Sequence, residues 1–369
     1  MDARPLAGMD EVMRLTRSGR LQEATSAIQR MLQGQPLATT ATEPVKRSEK
    51  RPIEDVFRVI REAPFRANYA GHVQPTSPRP RAIPARAPSS IGQFITGRYT
   101  NEAGTRSYKL YVPRGYRGQS LPLVVMLHGC TQDPDDFAAG TRMNHVAEER
   151  QCLVLYPAQA QGANPSKCWN WFREGDQHRD QGEPSIIAGI TRQVMTSHNI
   201  DPRRVYVAGL SAGGAMAVTM GVTYPELYAA VGVHSGLGYA VAHDLPSAFA
   251  VMRRDDTNRR MGISGARRLT IGERVMPTIV FHGDRDATVH PLNGDEVIAQ
   301  STVPGSGNAA TEANSHVTVE RGRAAKGHAY TRTIYYDAAG QPSVEHWLVH
   351  GAGHAWSVAI GCVPLIRAA

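Results

Sequence analysis

Val205-Tyr-Val-Ala-Gly-Leu-Ser-Ala-Gly-Gly214 reads as a buried strand, a turn of small residues and the first residues of a helix. Its centre, Gly209-Leu210-Ser211-Ala212-Gly213, has the G-x-S-x-G spacing of a nucleophile elbow. A serine on so tight a strand-to-helix turn crowds its neighbours, so glycine is needed two positions to either side. The helix that follows aims its first amides at the serine, where negative charge would develop on an attacked carbonyl. The competing reading is a small-residue turn that happens to contain a serine. What lies downstream decides between them.

A serine hydroxyl is a weak nucleophile without a base, and the base needs an acid to orient it. In the α/β-hydrolase fold the chain order is Ser, then Asp or Glu, then His. Pro277-Thr-Ile-Val-Phe-His-Gly-Asp-Arg-Asp-Ala-Thr-Val-His-Pro291 is a strand running into a polar loop with two aspartates. Asp286, deeper in the loop, is favoured as the acid over Asp284, which is expected to cap the turn through its own backbone. Val344-Glu-His-Trp-Leu-Val-His-Gly-Ala-Gly-His-Ala-Trp356 carries three histidines. His346 falls on a strand and His350 ends it. His354 stands beyond Gly351-Ala352-Gly353, where an imidazole can reach Ser211, and is the expected base. Leu123-Val-Val-Met-Leu-His-Gly-Cys-Thr-Gln132 is a buried strand ending in His128-Gly129, the usual place for a second oxyanion donor. The expected oxyanion hole is therefore the backbone N–H of Cys130 with that of Ala212.

Around these motifs the texture is consistent. Apolar runs occur at Tyr108–Val112, Leu123–Leu127, Leu153–Tyr156, Val205–Ala208, Ala229–Val233 and Thr278–Phe281, with helical segments at Pro184–His198 and Ala212–Tyr224 between them. Buried strands alternating with helices predict a mostly parallel sheet with helices on both faces. Residues 94–369 suit one α/β-hydrolase domain. Before it, 1–72 reads as a basic, small helical N-terminal extension and 73–93 as a Pro-rich linker. In the extension, Asp10–Gly34 reads as a short helical hairpin and Glu54–Glu62 as a further helix.

The net charge of +8 is uneven. Residues 1–100 hold 16 Lys/Arg against 9 Asp/Glu, whereas the rest hold 25 against 24. The basic arm could meet anionic surfaces, or simply be solvated. It carries no nucleic-acid motif and few aromatics to stack bases, so no specific nucleic acid is expected as a partner. There is no run of about eighteen apolar residues to span a membrane. The start lacks a secretory apolar stretch, which predicts a cytoplasmic protein, with an extracellular one as the alternative. Four cysteines without CxxC spacing make neither a disulfide scaffold nor a zinc site.

With these pieces placed, the chain resembles the poly(3-hydroxybutyrate) depolymerase family of esterases over about residues 94–357. The likeness rests on Leu127-His-Gly-Cys-Thr-Gln132, Leu155-Tyr-Pro157, Cys168-Trp-Asn-Trp-Phe172, Gly209-Leu-Ser-Ala-Gly-Gly214, His282-Gly-Asp-Arg-Asp-Ala-Thr-Val289 and Gly353-His-Ala-Trp356. Acetylxylan and feruloyl esterases are similar but less close. The resemblance implies ester hydrolysis through an acyl-enzyme, with Ser211, Asp286 and His354 as triad and no metal or organic cofactor. Many relatives are secreted, against the signal-free start. Trp169, Trp171 and Phe172 are read as a loop lining the cleft and gripping an acyl chain, with plain core as the alternative. Cys130 follows the oxyanion strand and Cys168 precedes that loop, so the two are expected to approach, either bridged or as separate buried thiols. Relatives continue past the His-Ala-Trp segment to a final helix. Here Ser357–Ala369 with Pro364 reads as a truncated or frameshifted ending, expected to lower stability and loosen His354. The leading function is hydrolysis of hydroxyalkanoate polymer or oligomers. Alternatives are an esterase for acylated polysaccharide or small esters, a peptidase of the same fold, and a catalytically impaired scaffold that binds partners. The oligomeric state is left open.

Overall fold

The computed structural model describes residues 92–254, 270–271, 274–302, 316–324, 327–337 and 339–357. The expectations for 1–91, and for the ending after Ser357, lie outside these residues. Two compact units divide the chain, Met1–Ala82 and Ile83–Ala369, and every described residue belongs to the second.

One sheet of ten strands organises this unit. In chain order its strands are β1 (Gln93–Asn101), β2 (Gly104–Val112), β3 (Leu121–Leu127), β4 (Leu153–Pro157), β5 (Ile200–Leu210), β6 (Ala230–His234), β9 (Thr278–Gly283), β10 (Val317–Arg323), β11 (Ala329–Tyr336) and β12 (Pro342–Val349). Two short strands, β7 (Thr270–Ile271) and β8 (Arg274–Val275), pair only with each other. In space the order is β1-β2-β4-β3-β5-β6-β9-β12-β11-β10. The six strands from β4 to β12 run parallel, while β1–β2 and β11–β10 add antiparallel edges.

The helices are α1 (Pro134–Thr141), α2 (Met143–Arg150), α3 (Gly182–Ser197), α4 (Ala212–Thr223), α5 (Leu245–Arg253) and α6 (Leu292–Thr302). Because successive strand residues point to opposite faces, β3 feeds two cores. Leu123, Val125 and Leu127 join Val205 and Val207 beneath Ile187, Ile190, Met216 and Met220 of α3 and α4. Val124 and Met126 join Tyr206 and Ala208 beneath Phe137 and Ala147 of α1 and α2. All seven residues of β3 are buried, which is why it reads as an unbroken apolar run rather than an alternation. Each large side chain buried there contributes about 1.5–3 kcal/mol. Helix α4 is apolar on every side and almost wholly buried, as a helix wedged between strands and other helices must be. Among the described residues no helix is long and apolar enough to cross a membrane.

The parallel core puts the carboxyl ends of β3, β5, β6, β9 and β12 on one edge of the sheet. Every loop singled out from the sequence leaves from that edge, as open α/β sheets favour for ligand sites.

Candidate active site

Ser211 sits between β5 and α4 with φ 57° and ψ −122°, a backbone that a side chain rarely tolerates. Two close approaches force this turn. A Cβ on Gly213 would lie 2.0 Å from the Leu127 carbonyl oxygen, and one on Gly209 would lie 2.2 Å from the Gly213 carbonyl oxygen. The elbow can therefore press against the end of β3 only because both flanking residues lack side chains. That pressure brings Gly129 opposite the serine, where a Cβ on Gly129 would stand 3.6 Å from Ser211 Cβ. The loop bearing Cys130 and the helix start bearing Ala212 thus flank the same hydroxyl.

Asp286 leaves β9 in a turn that its own carboxylate organises. Oδ1 accepts the N–H groups of Thr288 and Val289, each at 2.9 Å. Oδ2 lies 2.7 Å from Nδ1 of His354 and 3.4 Å from Nε2 of His282. Burial would raise the Asp286 pKa, but the hydrogen bonds from His282, His354 and Val289 outweigh it and hold the carboxyl well below the usual range. Asp284 faces another way. Rather than capping its own turn, it accepts the Gly351 N–H at 2.6 Å and meets His350 Nδ1 at 3.0 Å. His346 lies within β12, its Nδ1 3.7 Å from Asp295. The acid and histidine loops are further joined where Arg285 N–H donates to Ala352 at 3.0 Å.

The loop after β3 is held from behind. His128 Nε2 accepts the Gln159 N–H at 3.0 Å, which leaves the proton on Nδ1 to donate to the Gly129 carbonyl at 2.8 Å. Burial lowers the His128 pKa and keeps the ring neutral for this double role. Gly129 N–H donates to Gln132 Oε1 at 3.0 Å and Thr131 N–H to the Ser166 carbonyl at 2.6 Å. Cys130 and Cys168 are joined in a disulfide with Cα atoms 4.1 Å apart. The buried Glu183 carboxylate, at the start of α3, collects donors from Asn170 N (2.7 Å), Asn170 Nδ2 (2.7 Å), Arg106 Nη2 (3.3 Å) and Gln159 Nε2. Gln159 also donates to the Cys168 carbonyl at 2.8 Å.

The three aromatics of the Cys168–Phe172 segment do not share one environment. Trp169 has no accessible surface and its ring centre lies 5.5 Å from that of His128. Trp171 is buried as well, with Phe172 edge-on to it at 5.6 Å. Phe172 alone of the three is half-exposed. The first two thus belong to the buried apolar cluster that also holds Leu123, Val125 and Leu127 of β3 and Ile186, Ile187 and Ile190 of α3. Sequence reasoning passed over His234, Gln159 and Glu183. For His234 a signal exists in the histidine that ends the buried Ala230–Val233 run, at the carboxyl edge beside β5. Among the described residues no group of three or more His, Cys, Asp or Glu side chains is arranged to hold a metal ion.

A parallel sheet with a strained serine elbow and an Asp–His pair at its carboxyl edge defines an α/β-hydrolase. The profile of the family described as esterase PHB depolymerase matches residues 106–319, more than half of the chain, and the chain belongs to that family. It is 33% identical over 262 residues to poly(3-hydroxyalkanoate) depolymerase C of Paucimonas lemoignei, covering 70% of this chain and 60% of that protein. It is 29% identical over 225 residues to acetylxylan esterase A of Talaromyces purpureogenus, covering 56% of each. The chain thus spans about six tenths or less of these relatives' own length. Among solved structures, an acetyl xylan esterase from Aspergillus awamori superposes with TM-score 0.56 at 20% identity, over 74% of this chain and 100% of that one, a likeness of fold.

Proposed function

We propose that the chain is a serine carboxylic-ester hydrolase in which Ser211 is the nucleophile, His354 the base and Asp286 the orienting acid. The observation that carries this reading is the 2.7 Å contact between Asp286 and His354 Nδ1 on the same sheet edge as the strained Ser211 turn. In the acylation step Ser211 Oγ attacks the ester carbonyl while its proton passes to Nε2 of His354. The Asp286 carboxylate keeps the Nδ1 proton in place and stabilises the imidazolium that forms. The oxyanion is received by the N–H of Ala212 at the start of α4 and that of Cys130. The amides on either side of Cys130 are already engaged, so its own is the one the loop can present. Collapse of the tetrahedral species breaks the ester C–O bond, and His354 returns the proton to the leaving alcohol. Water then repeats the sequence on the acyl-enzyme.

Hydroxyalkanoate polymer or oligomer is the substrate class best supported, through the family and the identity to a poly(3-hydroxyalkanoate) depolymerase. Half-exposed Phe172 is the candidate to touch the acyl chain, on a loop that buried Trp169 and Trp171 hold in place. Acylated xylan is the second reading, favoured by the identity to an acetylxylan esterase. The test is hydrolysis of p-nitrophenyl butyrate, with release of hydroxybutyrate from polymer or trimer compared against release of acetate from acetylated xylan. Ser211→Ala should lower kcat by about 10⁶-fold while leaving the melting temperature within a few degrees. Near-normal turnover by Ser211→Ala would sink the proposal.

A further inference from the structure

His234 closes β6, beside β5 on one side and β9 on the other, and is 2% exposed. It touches both halves of the site. Its carbonyl accepts the N–H of Ser211 at 2.9 Å, fixing the turn that carries the hydroxyl. Its ring Nε2 lies 3.0 Å from the backbone N of Ser357 and 3.0 Å from Ser357 Oγ. A backbone N–H can only donate, so Nε2 is the lone-pair nitrogen. Nδ1 therefore carries the proton, facing Ser235 Oγ at 3.3 Å. The ring is sandwiched between Phe281 (5.9 Å, 17°) and Trp356 (5.1 Å, 27°), and Phe137 of α1 meets Trp356 edge-on at 5.7 Å.

These contacts lie just after His354, which is two residues before Trp356. Just before it, His350 and Gly351 are held by Asp284, and Ala352 by Arg285. The short segment that carries His354 is thus anchored at both ends, on the acid loop and on His234. We infer that His234 is a positioning residue, holding the His354 loop in register with the Ser211 turn through its carbonyl on one side and its neutral ring on the other. The inference rests on the reading of His354 as base. Burial first, then the nearby His282 and His354, push the His234 pKa down to about 3, against Asp286, so the acceptor nitrogen stays free at working pH. A protonated ring would turn an N–H toward the N–H of Ser357 and break the far anchor.

Two substitutions separate the ring's shape from its acceptor. His234→Phe keeps an aromatic plate between Phe281 and Trp356 but offers Ser357 nothing to bond. His234→Gln gives up the stack and keeps an acceptor near the Nε2 position. A loop displaced by about 1 Å costs up to about 10²-fold in rate without touching substrate contacts. For His234→Phe we expect kcat on p-nitrophenyl butyrate to fall about 10²-fold, with KM within about threefold of wild type. His234→Gln should recover about tenfold of that loss. Melting curves establish that each variant is folded. If His234→Phe does not fold, the folded His234→Gln variant must keep kcat within about tenfold of wild type, and a greater fall overturns the inference. Folded His234→Phe with undiminished kcat overturns it, as does an equal loss in both variants or a loss in KM alone. His354→Ala is run alongside. If it keeps its turnover, His354 is not the base and the inference falls with that reading; if it does not, the His234 result judges the inference alone.

Discussion

Asp284 and Asp286 stand two residues apart in one loop, yet each is committed to a different histidine, the first to His350 and the second to His354. The difference is one of depth: the Asp286 side chain is fully buried and bonded on both oxygens, whereas Asp284 lies near the surface. Replacing Asp286 with Asn should cut kcat by about 10⁴-fold, because the amide can no longer hold the proton on Nδ1 of His354. Asp284→Asn should cost about tenfold or less, through a looser loop. The reverse order in a p-nitrophenyl ester assay would move the acid role to Asp284. Titration behaviour adds a second reading of individual residues. His234 has a folded pKa near 3 against 6.5 when free, so the unfolded chain binds its proton first as pH falls. Its contribution to stability is complete above about pH 6.5 and drains away down to about pH 3, at about 1.4 kcal/mol per pH unit. Urea unfolding between those pH values should therefore show a shallower loss of stability for His234→Phe than for wild type. Parallel slopes would mean that the ring is not buried neutral.

At the level of elements, the loop that carries Cys130 is only as good as the segment bound to it. The disulfide closes a separation of 38 residues, and Glu183 and Gln159 hold its far side. By chain entropy a loop of that length is worth about 4 kcal/mol to the folded state. Replacing both cysteines with Ala should lower the urea-derived stability by about 2–4 kcal/mol. It should also reduce kcat by up to about 10²-fold, the scale of one lost oxyanion donor. Unchanged kcat in the folded double variant would mean that the backbone N–H at position 130 is presented without help from the disulfide. The elements differ in how openly the sequence announces them. β3, β4 and β9 are buried on both faces and stand out as apolar runs, and α4 follows the glycine-flanked serine that needs it. β10, with Val319 59% exposed and charged residues between, has no such periodicity, and β1 and β11 are little better. β1 and β10 are the edges of the sheet, and β11, though paired on both sides, is only half-buried, so all three lack the burial that makes a strand legible. The aromatics of the Cys168–Phe172 segment show the converse: their spacing leaves cleft and core both open, and packing puts Trp169 and Trp171 in the core, because sequence shows proximity to a motif but not which way a ring points.

Considered as a whole molecule, every group assigned a part in ester hydrolysis lies between residues 128 and 357, within the unit Ile83–Ala369. The charge is distributed the other way, since the first 100 residues carry a net +7 of the chain's +8. Long-range attraction from such an arm acts over about 8–10 Å at ordinary ionic strength and vanishes in high salt. A neutral, soluble ester has no charge for it to steer, so chemistry on that substrate should be indifferent to the arm. Deleting residues 1–82 should accordingly leave kcat/KM on p-nitrophenyl butyrate within about twofold, and salt should not change that ratio. Binding to an anionic surface is where the arm would matter, and it should fall steeply between low and high salt in the full chain alone. Co-sedimentation with vesicles containing phosphatidylserine, at both salt levels and with both proteins, measures this directly. A tenfold loss of soluble-ester turnover on deletion would mean that the first unit takes part in forming or shielding the site. Equal, salt-independent sedimentation of the two proteins would mean that the basic arm is a solvated tail with no surface to meet.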